Sequence, residues 1–275
     1  MFLQAQRLLW RGDCYQQLRG PIQTRVLSRD AESGSATVLL RYPPGWQRPE
    51  AESLNVMEEF YVLSGALQIG AEIYTDHSYA CLPKGFVREG MASRSGAVVL
   101  TMWPREPQAS PANKEAAQFD ATLLVQRHDC RAKGLDGWEQ NTHSRYLPGT
   151  GVQTLRKDPY SGEITILYSA LPFRFMEKRW THEHVQEMYM LAGEYSINDV
   201  GVLRPGGYAW WNPKQLHGPY GSLTGFMMIV RSIGGPLINV IPEERVAVNF
   251  TAPYRPVLAP EQMPFAGEWL PHSLY

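Results

Sequence analysis

Apolar positions along this chain fall in short alternating or continuous runs, without the three-to-four spacing of a buried helix face. "ATVLLRY" (36–42) and "ITILYSA" (164–170) are β-branched and apolar, and both predict strands. "EFYVLSGALQI" (59–69) and "EMYMLAGEYSI" (187–197) each carry a glycine, Gly65 and Gly193, where a hairpin is predicted to turn. "LRPGGYAWW" (203–211) reads as a turn followed by an aromatic strand. The 24 glycines and 21 prolines are spread evenly, which suits many turns between short strands. The one exception is a short helix predicted around 113–127. Strands recurring every eight to twelve residues predict an all-β sandwich or barrel.

The strand pattern occurs twice. "VLSRDAESGSATVLLRYPPG" from Val26 matches "TLRKDPYSGEITILYSALPF" from Thr154, with Leu27, Asp30 and Gly34 on Leu155, Asp158 and Gly162. "EEFYVLSGAL" (58–67) matches "QEMYMLAGEY" (186–195) at the same offset. "YACLPKGFVREG" (79–90) then matches "YAWWNPKQLHGP" (208–219) after a one-residue shift, and "SGAVVLTM" (95–102) matches "TGFMMIVR" (224–231). Four blocks in one order divide the chain into two copies of one unit, 1–128 and 129–275. The Pro/Ala/charged segment 103–120 is the expected connection, and the proline- and aromatic-rich tail from Thr251 is expected to pack as an extended arm.

Composition narrows the class. Of 275 residues, 44% are hydrophobic and 19% charged, and 26 basic residues face 27 acidic ones for a net charge of −1. That is a globular chain with no basic stripe for nucleic acid and no apolar run long enough for a membrane span. The start lacks a secretory cleavage pattern, and Cys14, Cys81 and Cys130 form neither a disulfide framework nor a metal knuckle. A cytoplasmic protein with reduced thiols is expected.

Candidate chemistry sits in the second copy, in "THEHVQEMYMLAGEY" (181–195). Together with "RPGGYAWWNPKQLHGPYG" (204–221), this stretch resembles the two motifs of the cupin superfamily, and the chain as a whole resembles bicupins with ChrR-like cupin domains. The resemblance implies two tandem cupin barrels, that is, double-stranded β-helix or jelly-roll units. It also implies a metal site in which His182 and His184 match the paired histidines and His217 the third. Alternate residues of a straight strand face one side, so His182 and His184 can point together into a barrel. Counting back from Gly193 puts the family's acidic position on Gln186, which shares their face. A bulge would instead turn Glu187 inward, as ligand or as catalytic base. Both remain open.

In the first copy, Glu52 and Leu54 stand against the paired histidines, Glu58 keeps the acidic position and Arg88 replaces the third histidine. That half is expected to be degenerate and structural, with an anion pocket at Arg88 as the alternative. Met188, Met190 and Trp210 are assigned to a substrate pocket; of the adjacent Trp210 and Trp211, one must face inward. His77, His128, His143 and His272 fit no ligand pattern.

One divalent ion is expected, Fe(II) by preference, with Zn, Mn or Ni also compatible with imidazole ligands. The resemblance implies a metal-dependent enzyme, best an Fe(II)-dependent dioxygenase of a small oxygenated compound such as a diketone or hydroxyketone. The alternatives are a non-redox isomerase, epimerase or lyase, and a zinc-bound binding or sensing module. The expected partner is a small-molecule substrate, without nucleic acid or membrane, and a homodimer is compatible with the fold.

Overall fold

The computed structural model describes residues 1–113, 117–132 and 149–265. Two compact units emerge, Leu8–Lys133 and a second made of Met1–Arg7 with Gly134–Tyr275. Both are cupin jelly rolls, so the chain is a tandem of two such barrels. Among the described residues no helix is long and apolar enough to cross a membrane. The three cysteines are free.

In the first unit the main sheet runs Val125–Asp129, Ser78–Leu82, Glu58–Ile69, Ala97–Trp103, Ala36–Tyr42, Gln23–Arg29. In the second it runs Phe2–Gln4, Gly207–Trp211, Val185–Gly193, Phe226–Ile233, Ile164–Ala170, Thr150–Lys157. The two orders match strand for strand. A four-stranded sheet of Arg174–Met176, Tyr220–Ser222, Tyr195–Ile197 and Gly201–Leu203 completes the second unit. Its core is apolar and aromatic, with Ile166, Met188, Met190, Met228 and Val230 all buried.

Four expectations need correction. The first residues do not belong to the first repeat: Phe2, Leu3 and Gln4 pair with Ala209, Tyr208 and Gly207 and add an edge strand to the second unit. The first unit fills the same edge with Val125–Asp129, where the sequence predicted part of a helix. The 103–120 segment is not a connection, because Ala109–Pro111 pairs with Glu52–Leu54 inside the first unit.

The fourth correction concerns the two turn glycines. Glu58–Ile69 is a single strand that runs through Gly65, pairing with Ala97–Trp103 on one side of it and with Glu72–Thr75 beyond it. Likewise Val185–Gly193 lies in the main sheet and Tyr195–Ile197 in the smaller one. Each glycine is therefore a corner where the chain passes between sheets, a role bends and bulges fill in packed sheets. Both have positive φ, 79° at Gly65 and 72° at Gly193. A Cβ on Gly193 would stand 2.0 Å from the Gly225 carbonyl oxygen. Gly193→Ala combines a disfavoured φ with that clash and is expected to cost on the order of 1–3 kcal/mol. Thermal unfolding of the variant checks this, and an unchanged midpoint would remove the corner argument.

The tail behaves as an arm as far as it is described. Phe2 and Val257 form a bridge, and the Gln4 amide donates to the Tyr254 hydroxyl at 2.8 Å. Its last ten residues, His143 and His272 lie outside the described residues.

Candidate metal centre

The second unit brings His182 and His217 together. His182 ends the short strand Thr181–His182, which pairs with Asn239–Val240. His217 follows the turn after Gly207–Trp211 and forms a backbone bridge with Trp180. Both rings are 1% exposed. Their centroids are 5.0 Å apart. Two imidazoles bonded to one ion at about 2.0–2.1 Å have centroids roughly 4.5–5 Å apart, so the separation suits a shared ion.

Two indoles hold His217. The Trp211 ring stacks on it at 4.5 Å with planes 4° apart, and Trp180 meets it edge-on at 4.9 Å. Nδ1 of His217 lies 2.8 Å from the Gln215 carbonyl oxygen. A carbonyl only accepts, so Nδ1 carries the proton and Nε2 keeps its lone pair, as in a ligand oriented by an outer partner. That Nε2 is buried and makes no hydrogen bond.

Burial drives the His217 pKa down to about 3, reinforced by the neighbouring His182 and opposed by the Gln215 carbonyl. Burial likewise lowers His182 to about 4, against the contrary pull of Gln186 and the Ile238 carbonyl. Both rings are therefore neutral at pH 7, the form that binds a metal.

Gln186 shares the inward face of its strand with Met188 and Met190, as strand parity predicts. It is 7% exposed, and its Oε1 is buried without a hydrogen bond. Two neutral imidazoles and an amide oxygen thus fit a divalent ion with coordination positions to spare.

His184 and Glu187 do not join them. The strand stops at His182, residues 183–184 form a bend, and a new strand begins at Val185. Strict alternation fails across that bend. The His184 ring instead packs over Gly235, where an added Cβ would lie 2.2 Å from Nε2. Glu187 faces the other side of the sheet. It accepts a 2.6 Å hydrogen bond from the Tyr208 hydroxyl and lies 3.5 Å from Arg231. It is neither inward ligand nor base. Among the described residues no three His, Cys, Asp or Glu side chains come together.

A cavity of about 490 Å³, its solvent mouth included, is lined not by the two imidazoles but by Trp180 and Asn239, which pair with His217 and His182. Gln186, Trp180 and Asn239 form its polar end, and Met188, Met228 and Tyr195 line the body. The Tyr168 and Tyr220 hydroxyls, 3.0 Å apart, sit in its wall. Of the assigned pocket residues, Met188 lines the cavity. Met190 is buried in the core without lining it, and Trp210 faces the other way, bonding Asn212. The inward indole is Trp211. The sequence reading missed Trp180, Tyr168, Tyr220 and Asn239; only Trp180 had a signal, two residues before His182.

The first unit holds charges at the matching place. Glu52 pairs with Arg88 as Trp180 bridges His217. Glu52 therefore corresponds to Trp180 and Leu54 to His182, which corrects the placement of both by two residues. Arg19, from the short helix Gln16–Arg19, donates to both Glu58 oxygens at 3.0 Å and to Glu52. Arg88 donates to Glu58 at 2.8 Å. Only a small void remains there, walled by Arg19, Glu58, Phe60 and Val99.

The fold is that of two tandem cupin barrels, and the second brings two buried imidazoles together. Residues 19–235 match the family described as a domain of unknown function, DUF4437, and the chain belongs to that family. Among the curated proteins none matches it. Among solved structures, the chain is similar to a protein of Nostoc punctiforme PCC 73102 named provisionally as a dioxygenase. That likeness has a TM-score of 0.75 at 19% identity, covering 85% of this chain and 82% of that one. It is also similar to mutant oxalate decarboxylase OxdC of Bacillus subtilis, with a TM-score of 0.57 at 10% identity, covering 87% and 78%. Likeness at these identities establishes the fold, not the reaction.

Proposed function

We propose that the C-terminal barrel is a metal-dependent oxygenase site, holding one divalent ion, Fe(II) by preference, on His182, His217 and Gln186. The observation that carries this reading is the pair of buried neutral imidazoles 5.0 Å apart, whose neighbours Trp180 and Asn239 line a cavity. When bound, iron supplies the redox chemistry that activates dioxygen. The chain's own residues do the rest. The Gln215 carbonyl fixes the His217 tautomer. Trp211 and Trp180 exclude water from that ring. The Tyr168 and Tyr220 hydroxyls can orient a substrate oxygen.

The name of the Nostoc neighbour agrees with an oxygenase. The non-redox alternative needs a general base, and its candidate, Glu187, is engaged by Tyr208 on the far face of the sheet. The N-terminal barrel, with Arg88 at the His217 position, is read as a structural half.

Metal analysis of protein purified without added metal is expected to find iron at about one ion per chain. Oxygen uptake with a panel of β-diketones and hydroxyketones under reducing conditions is expected to show turnover with at least one of them. Zinc in place of iron, or no uptake with any compound, would sink the oxygenase reading.

A further inference from the structure

We infer that the body of the C-terminal cavity selects the uncharged, largely apolar part of a small molecule bearing a hydroxyl or carbonyl oxygen. This deepens the proposed function, on which the assignment of the cavity as substrate site rests. Size comes first. The 490 Å³ includes open solvent at the mouth, so the enclosed part is only a fraction of it and admits a small occupant.

Charge comes second. None of the described residues lining this cavity is Asp, Glu, Lys or Arg. The wall is thioether, indole, phenol and aliphatic, with only amide and hydroxyl groups for polarity. Away from the metal, a carboxylate or phosphate in the body of this cavity would meet no cationic side chain, and an unpaired buried charge is strongly disfavoured.

The first unit shows that the absence of charge is a property of this barrel and not of the fold. The two cavities use corresponding wall positions: Phe60 and Met188, Leu67 and Tyr195, Met91 and Tyr220, Val99 and Met228. Yet the first contains Arg19 and Glu58, while the second has Gln186 in place of that glutamate. The substitutions that enlarge the wall's polarity in the second unit are both phenols, Tyr195 and Tyr220. Hydroxyls donate and accept, so they suit an alcohol or ketone oxygen. Tyr195 stacks on Tyr220 at 4.8 Å, which fixes the phenol in place.

The test is calorimetric titration of chelator-treated protein with acetophenone and with benzoate, two probes of nearly one shape that differ in charge. Removing the metal keeps the benzoate carboxylate from binding it directly. Acetophenone is expected to bind at least about tenfold more tightly than benzoate, because the anion loses its water without gaining a partner. Met228→Trp, which fills the cavity, is expected to abolish acetophenone binding while thermal unfolding stays cooperative. Benzoate binding as tightly as acetophenone, no binding of either, or acetophenone binding that survives the filled cavity would each overturn the inference. The two readings fail separately. Neutral selectivity without iron or oxygen uptake would remove the oxygenase and keep the cavity assignment. Oxygen uptake only with carboxylated substrates would do the reverse.

Discussion

His217→Ala is expected to weaken divalent-metal binding by more than about 100-fold, since loss of outer partners alone typically costs 10–100-fold. The substitution removes a neutral imidazole whose lone-pair nitrogen is buried without a hydrogen bond, with its tautomer set by the Gln215 carbonyl. His182→Ala is expected to act in the same way, because its ring is the other half of the pair. His184→Ala should leave affinity nearly unchanged, since that ring rests on Gly235 beyond the bend. Competition against a chromogenic chelator measures all three, with circular dichroism to show that each variant is folded. Metal lost from His184→Ala but retained by His182→Ala would refute the assignment. Glu187→Gln supplies a further contrast. It removes the negative charge that faces Arg231 and weakens the bond accepted from Tyr208, and should lower stability without emptying the site.

The distinction between these histidines shows where pattern reading succeeds and where it stops. Within one unbroken strand, parity is dependable. Gln186 and Met188 face inward and Glu187 and Tyr189 outward, because successive side chains alternate. Ala36–Tyr42 and Ile164–Ala170 coincide with the apolar runs that predicted them. The repeat offset also survives as structure, since matched blocks occupy matched strands of two like sheets.

Parity carries no information across a bend, and nothing in "THEHVQ" marks residues 183–184 as one. Adjacent indoles show that one of Trp210 and Trp211 faces in; only the pairing of Gln186 with Trp211 decides which. A glycine at a strand's midpoint is read as a hairpin because tight turns are its commonest use. At Gly65 and Gly193 the same positive φ turns a corner between sheets. The strand Phe2–Gln4 was invisible for a different reason: its partner lies some two hundred residues away, and three residues are too few to show a period. Arg19 has no pattern either. Its role follows from two glutamates, Glu52 and Glu58, that only the fold brings beside it.

Those glutamates set the largest expected stability effect. Glu58→Ala is expected to destabilise the protein by about 3–5 kcal/mol, the cost of breaking a buried ion pair and stranding its partners. Glu58 is 4% exposed and accepts from Arg19 and Arg88, themselves 2% and 0% exposed. Without it, Arg88 keeps only the Phe86 carbonyl and Arg19 must rely on Glu52 and the Leu18 carbonyl. A surface pair offers the control. Arg29 and Glu106 are half exposed, so Glu106→Ala should change stability by no more than about 1 kcal/mol. The network also predicts an acid dependence. Burial alone would raise the Glu58 pKa, but Arg19 and Arg88 outweigh it and hold the carboxyl below its ordinary range. A depressed folded-state pKa means the unfolded chain binds the proton first. The stabilisation is complete above the unfolded carboxylate value of about 4.3 and is lost as pH falls through the lower folded value. Urea unfolding of wild type and Glu58→Ala between pH 7 and pH 3 measures both effects. The gap between the two should be widest at neutral pH and narrow in acid. A gap that stayed constant, or a variant as stable as wild type at pH 7, would show that the first barrel does not depend on this carboxylate.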